Sequence, residues 1–182
     1  MLLCGYGSLK ATMVPRLSLE EMVGRSELIV QGGCLRTWTA WDAQTRFVWT
    51  HNEIQVTDAL KGGRSAVVVV SEPGGPLGEI EVSIEGMPRY QPGEEVVLFL
   101  YRTPIGFLRS RGLGQGKYKV QADALSGERR LQGELGGVAV VEAAGAARAT
   151  RTDLRQFDGA RLEEFKSLVR ELVTRGAMGK SQ

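Results

Sequence analysis

His51 is the only histidine of the 182-residue chain, so any Ser–His–Asp triad or imidazole-bound metal would have to use it. The sequence contains no Gly-x-Ser-x-Gly motif, which would place a nucleophilic serine on a strained turn. Alternation of side chains along a strand puts His51 on one face with Trp49 and Glu53. We therefore predict an ordinary surface or half-buried histidine and no catalytic residues. An enzyme that uses His51 together with a glutamate is the third-ranked hypothesis.

Cysteines and glycines offer little for a metal or a cofactor. Cys4 and Cys34 are the only cysteines and neither has a Cys-x-x-Cys neighbour, so one bridge is conceivable but a zinc or redox motif is absent. Gly112–Lys117 has the composition of a phosphate loop, but the spacing is wrong, and Tyr118–Val120 continues as strand where a helix should follow. The sequence predicts no metal site and no cofactor.

Two groups of glutamates lie in or near the predicted strands after residue 78. Glu79, Glu81 and Glu85 share one strand parity and predict a solvated acidic face that discourages edge-to-edge pairing. Glu94 and Glu95 follow a turn, and we expect both side chains to point outward.

The stretch from Arg102 to Lys119 has no Asp or Glu and interleaves aromatic residues with cations, which is typical of surfaces that stack bases and neutralise phosphates. One expected strand carries Arg109 and Arg111 on a single face, and the strand expected to return beside it carries Lys117 and Lys119. Four cations could then converge, although the net charge of +2 favours a generic soluble face. The candidate nucleic-acid residues are Arg102, Phe107, Arg109, Arg111, Lys117 and Lys119.

The three tryptophans lie close to the loop of a predicted hairpin, with two arginines nearby. Core filling is the default role of tryptophan, but an exposed indole buries a large area on binding at little entropic cost. We rank this protein-binding or carbohydrate-binding patch above the basic one. Its candidate residues are Arg36, Trp38, Trp41, Arg46 and Trp49.

The elements that would position these residues are mostly β. Ser18 and Glu21 have the spacing of a capping box, so a short helix should begin there and end near Gly24 and Ser26. A long hairpin follows, with strands 28–41 and 47–60 and a bend at residues 32–33. Residues 72–76 should exclude both helix and strand. Further strands are predicted at 66–70, 80–84, 96–101 (central), within a 104–120 hairpin, and at 131–141 with a glycine break.

Composition indicates one globular domain, with 42% hydrophobic and 24% charged residues. No apolar run reaches the roughly 18 to 20 residues needed to cross a bilayer. The N-terminus lacks the apolar stretch of a complete signal peptide, so it could be a remnant of one, and a cytoplasmic chain is the alternative. Apolar residues at three- and four-residue spacing near the C-terminus predict an amphipathic helix.

The predicted fold class is mainly β: a small closed or partly open OB-like barrel with a short N-terminal helix and a C-terminal amphipathic helix. The predicted organisation is an N-terminal segment (1–16), a barrel domain (17–142), a linker (143–157), a helix (158–176) and a tail (177–182). We expect the helix to dock on its own barrel.

The order of elements across residues 17–121 resembles a known family. Asn52–Gly62, then a strand and a Pro/Gly turn, then Pro92–Phe99, is similar to the netrin-like, tissue-inhibitor-of-metalloproteinases class of oligonucleotide/oligosaccharide-binding barrels and to bacterial secreted proteins built on it. The resemblance implies export and a non-enzymatic binding role. The class inhibits through an N-terminal Cys-x-Cys, which this chain lacks, so that mechanism is not carried over to any residue.

The sequence therefore favours a non-enzymatic extracytoplasmic domain, secreted or periplasmic, that binds an unknown protein, with a secreted protease as one candidate partner. A single-stranded nucleic-acid binder is the alternative, and a membrane-spanning protein is not expected.

Overall fold

The computed structural model describes residues 13–134, 139–141 and 157–178. As predicted, it is mainly β, with a short helix near the N-terminus and a longer helix near the C-terminus. The strands are β1 (Met13–Pro15), β2 (Leu28–Asp42), β3 (Phe47–Lys61), β4 (Val67–Pro73), β5 (Gly75–Leu77), β6 (Ile80–Val82), β7 (Glu95–Arg102), β8 (Leu108–Ser110), β9 (Lys117–Ala122), β10 (Arg129–Gly133) and β11 (Ala139–Val141). The helices are α1 (Leu19–Arg25) and α2 (Leu162–Met178), and a 3-10 turn spans Leu113–Gly116.

Helix α1 begins at the predicted capping box. The Ser18 hydroxyl accepts from the Glu21 amide at 3.2 Å, and a Glu21 carboxylate oxygen accepts from the Ser18 amide at 2.9 Å. The helix continues through Gly24 and ends at Ser26, whose hydroxyl donates to the Met22 carbonyl. Two backbone amides that the helix leaves unpaired are thus satisfied by side chains three residues away.

The long hairpin is also confirmed, with a bulge at the predicted glycines. The β2–β3 register shifts between Gln31 and Gly32. A Cβ atom at Gly32 would lie 2.3 Å from the Gln55 carbonyl oxygen, so only glycine allows the two backbones to approach there.

Seven strands form one sheet in the order β10-β9-β7-β2-β3-β4-β8, and β8 also pairs with β7. That extra pairing bends the sheet partly into a ring, without making it a clear barrel. Strand β7 is central, as predicted, and it is buried on both faces. Its alternate residues enter two cores: Val97 and Phe99 join one, and Val96, Leu98 and Leu100 join the other.

Residues 72–76 contradict the sequence prediction. Strand β4 continues through Pro73, and Gly75–Leu77 form β5, which pairs with β6. Proline is tolerated because it ends its strand, and Gly74 and Gly75 adopt positive φ angles of 94° and 124° that let the chain turn into β5.

Helix α2 packs on its own domain. Phe165 lies 6.2 Å from the Phe99 ring of β7 and 5.3 Å from the Tyr118 ring of β9, measured between centroids. The ammonium of Lys166 lies 2.7 Å from a carboxylate oxygen of Asp58 on β3. The helix was predicted at 158–176 and begins later, at Leu162.

The C-terminal part of the predicted barrel, 131–141, appears as β10 and β11, and β11 pairs in parallel with β1. The predicted 1–16 segment, 143–157 linker and 177–182 tail lie mostly outside the described residues. Within the described part of the chain, no helix is both long enough and apolar enough to cross a membrane.

Candidate functional site

The two strands expected to form the basic hairpin do not pair with each other. Strand β8 pairs with Leu100–Arg102 of β7, whereas β9 pairs with Val96–Leu98. The two strands therefore meet successive segments of β7, and the 3-10 turn separates them. The prediction that four cations converge on one surface is wrong.

Carboxylates from other parts of the chain neutralise most of these cations. The Arg109 guanidinium lies 3.3 Å from a carboxylate oxygen of buried Glu72. Arg102 pairs with Glu27 at 3.1 Å. Burial raises the pKa of the Glu72 carboxyl, while Arg109 and the Ser110 amide oppose that effect.

Lys117 is the clearest departure from the predicted basic surface. Its side chain is 1% exposed, and its ammonium lies 3.0 Å from a carboxylate oxygen of Glu94 and 2.6 Å from one of Glu134. Glu94, expected to point outward, is buried. Lys119 Nζ lies 3.9 Å from Glu94, and the Arg111 guanidinium stacks over Tyr101 at 4.2 Å. The arrangement leaves no shared cationic face for a phosphate backbone.

The tryptophans divide between the two faces of the hairpin. Trp38 lies opposite His51 and Ala40 opposite Trp49, so these side chains share one face. Trp41 lies opposite Val48 on the other face. Trp38 is 37% exposed and Trp41 is 56% exposed, whereas Trp49 is buried and donates its indole N–H to Thr45 Oγ1 at 2.7 Å. The predicted patch of three tryptophans does not form.

The two arginines predicted with them also separate. Arg36 lies over the Trp38 ring at 4.8 Å and pairs with Glu53 at 2.7 Å, so it belongs to the face of Trp38. Arg46 is exposed in the hairpin loop with a left-handed φ of 53°.

His51 lies at the centre of an aromatic group on the face that Trp38 occupies. Its ring centroid is 5.3 Å from that of Trp38 and 5.7 Å from that of Phe107. The Phe107 ring also meets Trp49 edge-on at 4.8 Å. Phe107 was predicted with the basic residues, and the structure places it with the tryptophans instead.

The neutral form of His51 is favoured. Burial lowers the pKa of its imidazole, and the weaker attraction of Asp42 opposes that shift. Nδ1 of His51 lies 2.8 Å from Ser71 Oγ. Ser71 is buried, and this hydrogen bond holds the imidazole ring in place.

Strand β4 extends the same face with residues that sequence reasoning missed. Val69 lies opposite Glu53 and Val67 opposite Gln55, so both valines point to the side of His51. Val67 is 44% exposed and Val69 is 39% exposed. Together with Phe107 and His51 they line a groove of about 480 Å³. We call Trp38, His51, Val67, Val69 and Phe107 the His51 face.

The groove runs along an open sheet edge. Strand β4 pairs with β3 from Val67 to Pro73, but on its other side the described strands pair with it only at Val70, through Leu108. Strand parity alone could have indicated that Val67, Val69 and Ser71 share a face, but the open edge depends on where β8 lies.

Within the described ranges, no group of three or more His, Cys, Asp or Glu side chains is arranged to hold a metal ion. Cys34 is a buried free thiol whose pKa is raised, mainly by burial. Cys4 lies outside the described residues.

The chain matches no model of a known protein family. A comparison with curated proteins also gives no match.

Proposed function

We propose that this protein is a non-catalytic binding domain that holds an extended segment of a partner protein against the His51 face and the open edge of β4. The observation that carries the proposal is the coincidence of the exposed side chains of Val67 and Val69 with a strand edge that the described strands pair only at Val70.

The edge supplies the affinity that such a segment needs. An unpaired strand edge presents backbone N–H and C=O groups, and an extended peptide can satisfy them by adding one strand to the sheet. Natural proteins commonly protect such edges with charged side chains or proline. Val67 and Val69 instead present apolar side chains beside the groove.

The aromatic group supplies specificity. Trp38 and Phe107 are large apolar rings, and His51 between them is held by Ser71. Aromatic residues that become buried at an interface often dominate the binding energy. The partner segment should therefore place apolar side chains at alternate positions facing the rings.

Two features of the sequence extend the proposal. The resemblance in residues 17–121 supports an extracytoplasmic location and a secreted protease as partner, and both stay predictions. The given sequence contains no Cys-x-Cys, so the zinc chelation used by the class it resembles is not part of the proposal.

Selection of a random peptide library displayed on phage, with the purified protein as bait, tests the proposal. We expect enriched peptides to alternate apolar and polar residues, and to shift the amide NMR signals of Val67–Val69. Val69→Lys should lower the affinity for these peptides because it places a charge at the strand edge. Trp38→Ala should lower that affinity at least about tenfold.

Trp41→Ala is the matched control, because Trp41 is an exposed tryptophan of the same hairpin on the opposite face. It should leave peptide affinity unchanged. Failure to enrich any peptide, or equal weakening by Trp38→Ala and Trp41→Ala, would overturn the proposal.

A further inference from the structure

A second cavity lies on the other face of the same strands, between the sheet and the β5–β6 hairpin. Its volume is about 210 Å³, below the roughly 300 to 1,000 Å³ of pockets for drug-sized ligands, so it suits a small chemical group. The sheet contributes Thr39, Thr50, Asn52 and Glu72, and β6 contributes Glu81.

Asn52 lines this cavity and has an unused hydrogen-bond acceptor. The residue is 1% exposed, and its amide nitrogen donates to the Val70 carbonyl at 3.1 Å and to the Thr50 carbonyl at 3.5 Å. Those two bonds fix the orientation of the amide group. Its Oδ1 atom is buried and accepts no hydrogen bond from the described residues. A buried acceptor of this kind is unusual and calls for a donor.

The neighbouring side chains are acceptors as well. Thr50 donates its hydroxyl hydrogen to the Gly74 carbonyl at 2.6 Å, so Thr39, 3.3 Å away, must donate to Thr50. Both hydroxyl hydrogens are then used, and the oxygens can only accept. The buried Glu72 carboxylate, which takes donors from Arg109 and Ser110, adds further acceptor sites.

The outer wall of the cavity carries an ion pair: Glu81 and Arg89 both line it, and their side chains lie 3.5 Å apart. Glu79 and Glu85 flank β6 on the exposed side and add negative charge outside the cavity. Gly75 brings the β5 backbone against the two threonines, since a Cβ there would lie 2.1 Å from Thr50 Oγ1. Because residue 75 has no side chain, the β5 backbone can lie this close to the threonines and form one wall of the cavity.

From this geometry we propose that the cavity binds the ammonium or guanidinium head of a small organic cation, with Asn52 Oδ1 as its buried acceptor. Both groups only donate hydrogen bonds, which matches the acceptors that Asn52, Thr39 and Glu72 present on the sheet side of the cavity. Thr39 Oγ1 receives a second donor hydrogen, and the ligand competes with the exposed side chain of Arg89 for Glu81 at the mouth. The cavity and the His51 face occupy opposite sides of the sheet, so the two proposals stand independently.

An NMR titration of the full chain with agmatine and with n-butylammonium tests the site, with n-butanol as the neutral analogue. We expect millimolar binding of at least one cation, with amide shifts at Asn52, Gly74 and Glu81. Butanol should cause none of these shifts at the same concentration, because it carries no positive charge and its hydroxyl offers a single donor.

Two variants locate the binding. Asn52→Leu removes the buried acceptor, and Thr39→Val removes the second acceptor with little change in volume, so it serves even if Asn52→Leu does not fold. Each should weaken the cation at least about tenfold. Thr174→Val, at an exposed position of α2, is the control and should bind the cation as the unmodified protein does.

No binding of either cation at millimolar concentration would overturn the proposal. Equal binding of butanol would overturn it too, because the cavity would then take any small molecule. Unchanged affinity in Thr39→Val would place the cation elsewhere. Peptide binding to the His51 face should persist in every one of these variants that folds.

Discussion

Replacing Lys117 with methionine should destabilise the protein strongly, although the sequence suggested a solvent-facing cation at this position. The ammonium lies 3.0 Å from both carboxylate oxygens of Glu94 and 2.6 Å from one of Glu134, and 4.7 Å from the centre of the Tyr90 ring. Methionine keeps most of the length and apolar surface of the side chain but removes the charge. The buried Glu94 carboxylate then lacks most of the positive charge that neutralises it.

The structure sets the size of the effect. Removing one partner of a buried ion pair typically costs about 3–5 kcal/mol, because the remaining charge cannot return to water. Lys119 Nζ, 3.9 Å from Glu94, offers partial compensation, so we expect the lower end, about 3 kcal/mol. For a chain of this size that corresponds to a fall in Tm of about 6–12 °C.

Urea denaturation followed by tryptophan fluorescence measures the change in free energy of unfolding. Lys119→Met is the matched control and should cost no more than about 1 kcal/mol, since Lys119 is partly exposed and its contact is long. The double variant Lys117→Met, Glu94→Gln should regain about 1–2 kcal/mol, because the buried carboxylate is no longer charged. If Lys117→Met does not fold, a folded double variant still shows that the uncompensated Glu94 charge caused the loss.

An unfolding free energy within about 0.5 kcal/mol of the unmodified protein for Lys117→Met would refute the reasoning, since that is the range of surface substitutions. So would a double variant less stable than Lys117→Met alone. Either result would mean that Lys117 does not form a buried ion pair with Glu94. The basic hairpin would then again be a candidate binding surface.

Three further predictions concern the histidine, a helix cap and the helix interface. His51, the only histidine, should show an NMR pKa below about 6.5. Because its folded-state pKa is lowered, the unfolded chain binds the proton more tightly, so stability should fall as the pH drops through about 6.5 and level off below the folded pKa. His51→Gln should remove that component, and a pKa at or above the ordinary value would contradict the burial argument. Ser18→Ala should cost about 1 kcal/mol in urea denaturation through loss of the α1 cap, and an unchanged midpoint would contradict it. Phe165→Ala should cost about 3–5 kcal/mol by opening a cavity among the aromatic rings beneath α2, whereas a loss under about 1 kcal/mol would mean that α2 does not pack there.

Several elements of the fold could be predicted from the sequence because their causes are local. The capping box of α1 joins Ser18 to a residue three positions away, and the bulge of β2 is marked in the sequence by the adjacent Gly32 and Gly33. The apolar run of β7 indicated a central strand without any knowledge of its neighbours. The spacing of apolar residues in α2 likewise indicated a helix with one buried face.

Parts of the candidate site could also be predicted from local sequence patterns. Trp38 and Trp41 are three residues apart on one strand and must lie on opposite faces, because side chains alternate. The grouping of Trp38 with His51 required in addition the register of the hairpin, which its loop sets.

The remaining features depend on contacts between residues far apart in the chain. A segment without acidic residues does not remain basic when Glu72 and Glu94 fold against it. Phe107 joins the His51 face because β8 pairs with β7 rather than β9. Local propensities and alternation determined the elements of this protein and their faces, but strand order is set by which buried surfaces fit together. That order, available only from the tertiary structure, decided which charges are neutralised, which edge stays open and which acceptor is left in a cavity.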